Sequence, residues 1–267
     1  MNKISWVSVA KTDVGTVRKV NEDSYLEKSD SGVWCVADGM GGHARGDVAS
    51  QMITQQLSQL VKQSKNAVLI DHVVGCLQGV NTKLVTLSQQ HQSIVGSTVA
   101  VLLLEQNKAH CIWAGDSRIY RIREGEIQRI TRDHSQVEEM IDAGLIKAEE
   151  ADSHPKSNII TRAVGASSQL DLEIRTYDLK LSDKFILCSD GLNNVFSDQE
   201  LAQTVLSTSL DLITEHLIEE AIVRKARDNV TVLIVENKNI LDADEKLKQT
   251  IALDMTLPFN NSMQMSK

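Results

Sequence analysis

The sequence predicts an α+β fold in which two antiparallel sheets pack face to face as a central β-sandwich, with helices on the outside. The 267 residues are 42% apolar, which suits one large globular domain, because a single core stops growing at roughly 250–300 residues. The predicted elements run as strands, two helices, many strands, two helices and one strand. That order is not a regular β-α-β alternation, so it favours separate sheets and helices over a parallel sheet.

Short apolar runs predict the strands. The chain alternates weakly over residues 4–10, and residues 119–130 alternate around Glu124-Gly125, which indicates a hairpin. The other predicted strands are 32–37, 97–104, 109–114, 172–179, 184–188 and 230–235.

Apolar residues at helical spacing predict two helices over 48–61 and 69–87, and two more within 198–227. Residues 134–165 are more polar and contain Pro155, so we expect a short helix and an irregular, lid-like excursion there. The domain is predicted to span residues 1–236. Residues 237–267 form a tail whose short apolar patch cannot offset an ordering entropy of about 1–2 kcal/mol per residue. We therefore expect the tail to be largely disordered, apart from a short helix near 243–253.

Charge and hydropathy exclude several classes of protein. The formal net charge is −8 with no long basic run, which argues against a nucleic-acid partner, because binding to a phosphate backbone relies on clustered Lys and Arg. No stretch reaches the roughly 18 apolar residues that a membrane span needs, and residues 1–15 contain no apolar leader. The four cysteines form no C-x-x-C pair and are typical of buried small hydrophobes in a reducing compartment. We expect a cytoplasmic protein without a membrane partner.

Aspartate recurs where the predicted strands end. Asp38, Asp116 and Asp190 lie beside a glycine at the end of an apolar run, and Asp228 comes just before the last run. Turn chemistry explains any one of them, because Asp beside Gly is a common turn former. Four together indicate a site at one rim of the sandwich, where clustered carboxylates repel unless a cation neutralises them. Oxygen ligands without His or Cys favour Mg²⁺ or Mn²⁺ over zinc.

One alternative is a dinucleotide site. Gly39, Gly41 and Ala44 match G-x-G-x-x-[GA] between a strand and a helix. Asp38 would place a negative charge beside the pyrophosphate, and no acidic residue lies about 20 residues further on to hold the ribose. The following elements are not β-α-β units. Close approach of the backbone to a metal cluster explains the glycines better.

The ordered motifs resemble the PP2C-type (PPM) metal-dependent Ser/Thr protein phosphatases. Any single motif is weak, but the ordered set is specific and extends over about residues 5–236. The motifs are Arg18 with Asn21-Glu22-Asp23, Asp38-Gly39-Met40-Gly41-Gly42-His43, Gly96-Ser97-Thr98, Gly115-Asp116-Ser117-Arg118, Ser189-Asp190-Gly191-Leu192 and Asp228-Asn229. The compact form and residues 154–165 resemble the small bacterial single-domain members. The variable flap, residues 134–160, and the tail depart from the family pattern.

The resemblance implies two, and in bacterial members three, Mn²⁺ or Mg²⁺ ions at the rim. Asp38 would bridge the first two ions. Asp190 and Asp228 would complete the shell of the first ion. Glu22 and the carbonyl of Gly39 would serve the second.

The resemblance assigns four further roles. Asp23 would act on the second ion through water, and Asp116 with Asp190 would hold the third. Arg18 would bind the substrate phosphate, and His43 would be the general acid.

The implied reaction is hydrolysis of phosphoserine and phosphothreonine by a water that bridges two metals, without a covalent phosphoenzyme. Ser117 and Ser189 are not in G-x-S-x-G, so we interpret them as part of the loops that place the aspartates. The implied partners are phosphoproteins and a cognate bacterial Ser/Thr kinase, and we expect a monomer. A catalytically idle binding module is the alternative, but such a module has no need of six metal-site carboxylates.

The tail offers the first test. It is either an inert extension or a docking peptide, because Thr250 and Thr256 flank its apolar patch. Under both interpretations, truncation after Glu236 should leave aryl phosphatase activity and the melting temperature unchanged, since the tail follows the last predicted core strand. A large loss of either quantity would contradict both interpretations.

Overall fold

The arrangement of sheets and helices confirms the predicted fold class. The computed structural model describes residues 5–41, 45–64, 66–151 and 154–237, so the predicted tail lies outside the described residues apart from Asn237. Two sheets pack face to face, and helices cover the outer face of each. The named strands pair antiparallel throughout these ranges. They therefore contain no parallel β-α-β unit of the kind that a dinucleotide fingerprint requires.

The strands come from all parts of the described chain. They are β1 (Trp6–Asp13), β2 (Asp23–Lys28), β3 (Val33–Gly41), β4 (Val95–Ser97), β5 (Val99–Glu105), β6 (Lys108–Ala114), β7 (Arg118–Arg123), β8 (Glu126–Arg129), β9 (Glu173–Asp178), β10 (Lys184–Cys188) and β11 (Val230–Asn237). The first sheet has the order β1-β11-β10-β7-β8. The second has the order β2-β3-β5-β6-β9, with β4 paired to β3.

The helices lie on the outer faces of the sheets and in the flap. They are α1 (Gly46–Gln63), α2 (Ile70–His91), α3 (Gln136–Asp142), α4 (Asp190–Asn193), α5 (Asp198–Ser207) and α6 (Leu210–Val223). Ser197 begins α5 with a capping box, in which its hydroxyl accepts from the Glu200 amide and the Glu200 carboxylate accepts from the Ser197 amide. In the described part of the chain, no helix combines the length and apolarity needed to cross a membrane.

Strand β3 shows how the core is built. Val33, Cys35 and Ala37 face α1 and α2, whereas Trp34 and Val36 point between the sheets. Strands β5, β10 and β11 alternate in the same way between a helix-covered face and the inter-sheet layer. Because both faces of these strands are buried, they read in sequence as continuous apolar runs rather than as a polar–apolar alternation.

The structure differs from the sequence prediction at β2. The predicted strands include none between residues 10 and 32, but Asp23 begins β2, which pairs with β3. This strand lies at the edge of the second sheet, and only Leu26 and Tyr25 contribute to the apolar cores. An edge strand with few apolar positions leaves little periodic signal. The four-residue helix α4 was missed because it is too short to show a helical period.

The flap and the cysteines agree with the predictions for them. The described part of residues 134–165 contains α3, one short 3₁₀ turn and otherwise irregular structure. The isolated bridge Ser135–Ile160 closes this segment on itself, and the bridge Ser97–Val164 ties it to β4. All four cysteines are free, and three of them are buried.

Candidate active site

Four aspartates lie at one rim of the sandwich because their strands begin or end there. Asp38 is near the end of β3, and Asp116 is in the turn from β6 to β7. Asp190 follows β10 as the first residue of α4, and Asp228 lies just before β11. The antiparallel register places the end of β10 beside the start of β7 and the start of β11.

A cavity of about 250 Å³ opens at this rim. Its described lining contains five carboxylates and one cation, the guanidinium of Arg18. The residues that line it are Arg18, Glu22, Asp38, Gly39, Met40, Gly41, Thr98, Asp116, Asn158, Ile160, Asp190 and Asp228. Seven sequence-predicted site residues are thus brought together. Asp23 is buried beside them, opposite Asp38 in the β2–β3 register, and His43 lies outside the described residues.

Two glycines let β3 and α1 close around Glu22. The Gly39 amide donates to the Glu22 carbonyl at 3.0 Å, and the Gly46 amide donates to Glu22 Oε1 at 3.0 Å. A Cβ on Gly39 would lie 2.0 Å from the Gly46 carbonyl oxygen, and a Cβ on Gly46 would lie 2.7 Å from Glu22 Oε1. Only glycine permits this approach. Sequence reasoning singled out Gly39 but missed Gly46.

Neutral hydroxyls hold the buried Asp23. Its Oδ2 accepts from Ser189 Oγ at 2.7 Å and from Thr231 Oγ1 at 2.6 Å, whereas its Oδ1 is buried without a hydrogen-bond partner among the described residues. The pKa of Asp23 is raised to about 7, chiefly by burial and to a smaller extent by the carboxylates of Asp190 and Asp228, against the effect of the two hydroxyls. Ser189 is therefore engaged as a donor to a carboxylate. This contact agrees with its interpretation as a supporting residue.

Thr98 connects Asp38 to the turn that carries Asp116. The Asp38 amide donates to Thr98 Oγ1 at 3.0 Å, and the Thr98 amide donates to the Asp38 carbonyl at 2.8 Å. The Thr98 hydroxyl also shares a 2.7 Å hydrogen bond with Ser117 Oγ, directly after Asp116. Gly115 has a left-handed φ of 114°, and a Cβ there would lie 2.6 Å from Thr98 Cβ. Thr98 thus fixes the backbone at Asp38 and at the turn that carries Asp116.

The carboxylates raise one another's pKa. Burial is the first cause in each case. Burial and neighbouring carboxylates together raise the pKa of Asp38 well above its usual range, that of Asp116 to about 8 and that of Asp190 to about 6. Asp190 Oδ1 is buried without a hydrogen-bond partner in the described structure. The carboxylates stand around the cavity wall, and no three acidic, histidine or cysteine side chains of the described ranges are already arranged as a cation site.

Asn229 closes the loop that carries Arg18. Its Nδ2 donates to the carbonyls of Val14 at 2.9 Å and Val20 at 3.0 Å, and its Oδ1 accepts from the Glu22 amide at 2.8 Å. The half-exposed Arg18 then reaches Asp228, to whose Oδ2 its Nη2 donates at 2.7 Å. The sequence motif contained Asn229, but nothing in the motif indicated that its side chain clamps a loop more than 200 residues earlier in the chain.

The profile of the family described as protein phosphatase 2C matches residues 16–227, which include every sequence-predicted site residue except Asp228. The chain belongs to this family. The serine/threonine phosphatase stp of Listeria monocytogenes is 33% identical over 236 residues, which cover 85% of this chain and 94% of that protein.

Two solved structures share the fold of this phosphatase-family chain. PppA, described as a key regulatory component of T6SS in Pseudomonas aeruginosa, is 37% identical with a TM-score of 0.79, over 87% of this chain and 98% of that one. The catalytic domain of the serine/threonine protein phosphatase PstP, solved with 2 manganese ions, is 29% identical with a TM-score of 0.80, over 88% of this chain and 99% of that one. The resemblance seen in the sequence is confirmed.

The Asn229 clamp can be tested by Asn229→Ala. Removing three hydrogen bonds, each worth about 1 kcal/mol, should lower the free energy of unfolding by roughly 2–4 kcal/mol. It should also raise KM for an aryl phosphate, because the loop carries Arg18. Denaturant unfolding and steady-state kinetics measure both effects. The exposed Asn107→Ala, in the β5–β6 turn, serves as the control. Wild-type stability together with wild-type KM would contradict the clamp.

Proposed function

We propose that this phosphatase-family protein hydrolyses phosphoserine and phosphothreonine in proteins by metal-dependent attack of water. The observation that carries the proposal is the cavity at the rim, where five carboxylates surround one guanidinium. A phosphate dianion would be repelled by this array unless cations were bound there. Two buried oxygens at this rim, Asp23 Oδ1 and Asp190 Oδ1, have no hydrogen-bond partner among the described residues. They support the same conclusion, because a buried charged oxygen needs a hydrogen bond or a metal.

The donor set fits Mn²⁺ or Mg²⁺, since its members are hard oxygen ligands. Asp38 would contribute to both of two ions, with Asp190 and Asp228 holding the first, and Glu22 with the Gly39 carbonyl holding the second. The two manganese ions in the PstP structure support a two-ion centre.

A third ion would be held by Asp116 and Asp190, which line the same cavity. Asp23 would support the second ion through water. When bound, the ions would lower the pKa of a water molecule and so supply the nucleophile near neutral pH.

The chain's own groups then bind the substrate and move its proton. Arg18 lies half exposed at the cavity mouth, where its planar guanidinium can form a fork on the phosphate. His43 is proposed to protonate the leaving seryl or threonyl oxygen. Ser117 and Ser189 are buried and hydrogen-bonded, which supports direct hydrolysis without an enzyme-bound phosphoserine.

The biological setting is part of the proposal. We assign the substrates to phosphoproteins made by a cognate Ser/Thr kinase and the active form to a monomer. The four free cysteines support a reducing compartment such as the cytoplasm.

Metal removal tests the proposal most directly. EDTA should abolish hydrolysis of an aryl phosphate and of a phosphothreonine peptide, and Mn²⁺ should restore both. Asp38→Ala, Asp190→Ala and Asp228→Ala should each lose nearly all turnover, because each removes a proposed ligand, while the exposed Asp171→Ala should keep wild-type activity. Circular dichroism and Mn²⁺ titration calorimetry separate lost metal binding from unfolding. Full activity in metal-free buffer would contradict the proposal.

The raised pKa values predict how stability depends on pH in EDTA-treated protein. The pKa is about 7 for Asp23, 8 for Asp116 and 6 for Asp190 when folded, whereas an unfolded aspartate titrates near about pH 4. From roughly pH 4 to pH 8 these groups bind more protons in the folded state, so their contribution to the free energy of unfolding falls as pH rises.

Melting temperatures at pH 5 and pH 8 check this sign. Asp116→Asn cannot ionise at that position, so it should show a smaller fall in melting temperature between the two values than the wild type. An equal or larger fall in the variant would contradict the assigned titration of Asp116.

A further inference from the structure

A histidine outside the proposed mechanism lies behind Asp116. His134 is only 7% exposed and lies in the segment that joins β8 to α3. Its ring stacks on Trp113, with ring centroids 6.0 Å apart and an interplanar angle of 9°. No sequence motif indicated a role for His134, so its burial beside this rim is new information.

His134 binds both polar groups of Gly115. The Gly115 amide donates to His134 Nδ1 at 3.2 Å, and the His134 amide donates to the Gly115 carbonyl at 2.9 Å. Gly115 directly precedes Asp116 and has the left-handed φ of 114°, so the direction of the Asp116 side chain depends on how this one peptide is held.

The contacts also define the state of the imidazole. Because Nδ1 accepts a hydrogen bond, it carries no proton, and the ring proton is on Nε2. Nε2 faces Glu173 Oε2 at 3.3 Å, and Arg162 Nη1 is 3.5 Å away. Burial lowers the pKa of His134, and the Arg162 charge adds to that effect, against Glu173 and Asp133. The ring is therefore neutral at neutral pH, as an acceptor at Nδ1 requires.

We propose that His134 is a positioning residue for the reaction: its neutral imidazole holds the Gly115 peptide and so aims the Asp116 carboxylate into the cavity. The inference rests on the proposed function of that cavity. Without the acceptor at Nδ1, a buried amide loses its partner and the β6–β7 turn relaxes. Arg18 and Glu22 make their contacts elsewhere. Loss of the hydrogen bond between His134 and Gly115 should therefore lower kcat and leave KM unchanged.

Two amide substitutions separate the effect of the hydrogen bond to Gly115 from the effect of side-chain size. In His134→Asn, the side-chain oxygen lies near the position of Nδ1 and can accept from Gly115. In His134→Gln, the amide reaches one bond further and leaves the Gly115 amide without an acceptor. We expect kcat to fall by about 10–100-fold in His134→Gln, the range usual for residues that orient metal ligands, at unchanged KM. His134→Asn should stay within a few-fold of the wild type.

Readouts other than activity test the same contact in the metal-free protein. Hydrogen exchange of the Gly115 amide, followed by NMR, should be slow in the wild type and in His134→Asn and fast in His134→Gln. In ¹⁵N-histidine-labelled wild type, the His134 proton should be found on Nε2. A proton on Nδ1 would overturn the proposal even if neither variant folded.

The remaining outcomes are also decisive. Equal kcat values in the two variants of an active enzyme, or a Gly115 amide that stays protected in His134→Gln, would overturn the role of His134 alone. A wild-type protein without Mn²⁺-dependent phosphatase activity would instead overturn the proposed function. The amide-exchange result would still report whether His134 holds Gly115.

Discussion

Several buried carboxylates lie close together at the rim of this sandwich, and the rest of the fold has to hold them there against their electrostatic repulsion. Asp38 and Asp190 are each carried at the end of a core strand, so neither can move apart without disrupting backbone pairing and apolar packing. Burial raises the pKa of both side chains, and the nearby carboxylate of Asp228 adds to the effect on each of them. The buried layers behind them supply the apolar burial that holds the array together. The fold thus maintains an electrostatically unfavourable cluster that a divalent cation would relieve.

The scaffold holds the buried Asp23 with neutral donors instead of a positive charge. Thr231 and Ser189 donate hydroxyl hydrogen bonds to Asp23. Arg118 follows Asp116 by two residues, yet it forms a bidentate pair with Asp133, with Nη2 2.6 Å from Oδ2. A hydroxyl orients a carboxylate without cancelling its charge, whereas a guanidinium in the same place would compete with a metal. The negative potential of the cavity is thereby preserved while its walls are fixed.

A feature could be predicted from the sequence when it depends on residues that lie close together along the chain. Buried strands produce apolar runs, so most strands and the four aspartates at their ends were evident from the sequence. The Asp23–Thr231 contact joins residues 208 positions apart, and no periodicity or motif spacing records such a contact. His134 was missed for the same reason, because its acceptor role depends on a turn 19 residues earlier. The edge strand β2 was missed because it lacks an apolar period.

Asp23 shows how the two sheets and the site depend on each other. It belongs to β2 in the second sheet, where it lies opposite Asp38. Its donors are Thr231 in β11 of the first sheet and Ser189, which directly follows β10 of that sheet. A single carboxylate therefore joins the sheets at the rim, where Asp38 comes from one and Asp190 and Asp228 from the other. The distance between the two groups of proposed ligands is then set by sheet packing and by this contact together. For that reason Asp23 remains buried even though burial raises its pKa to about 7.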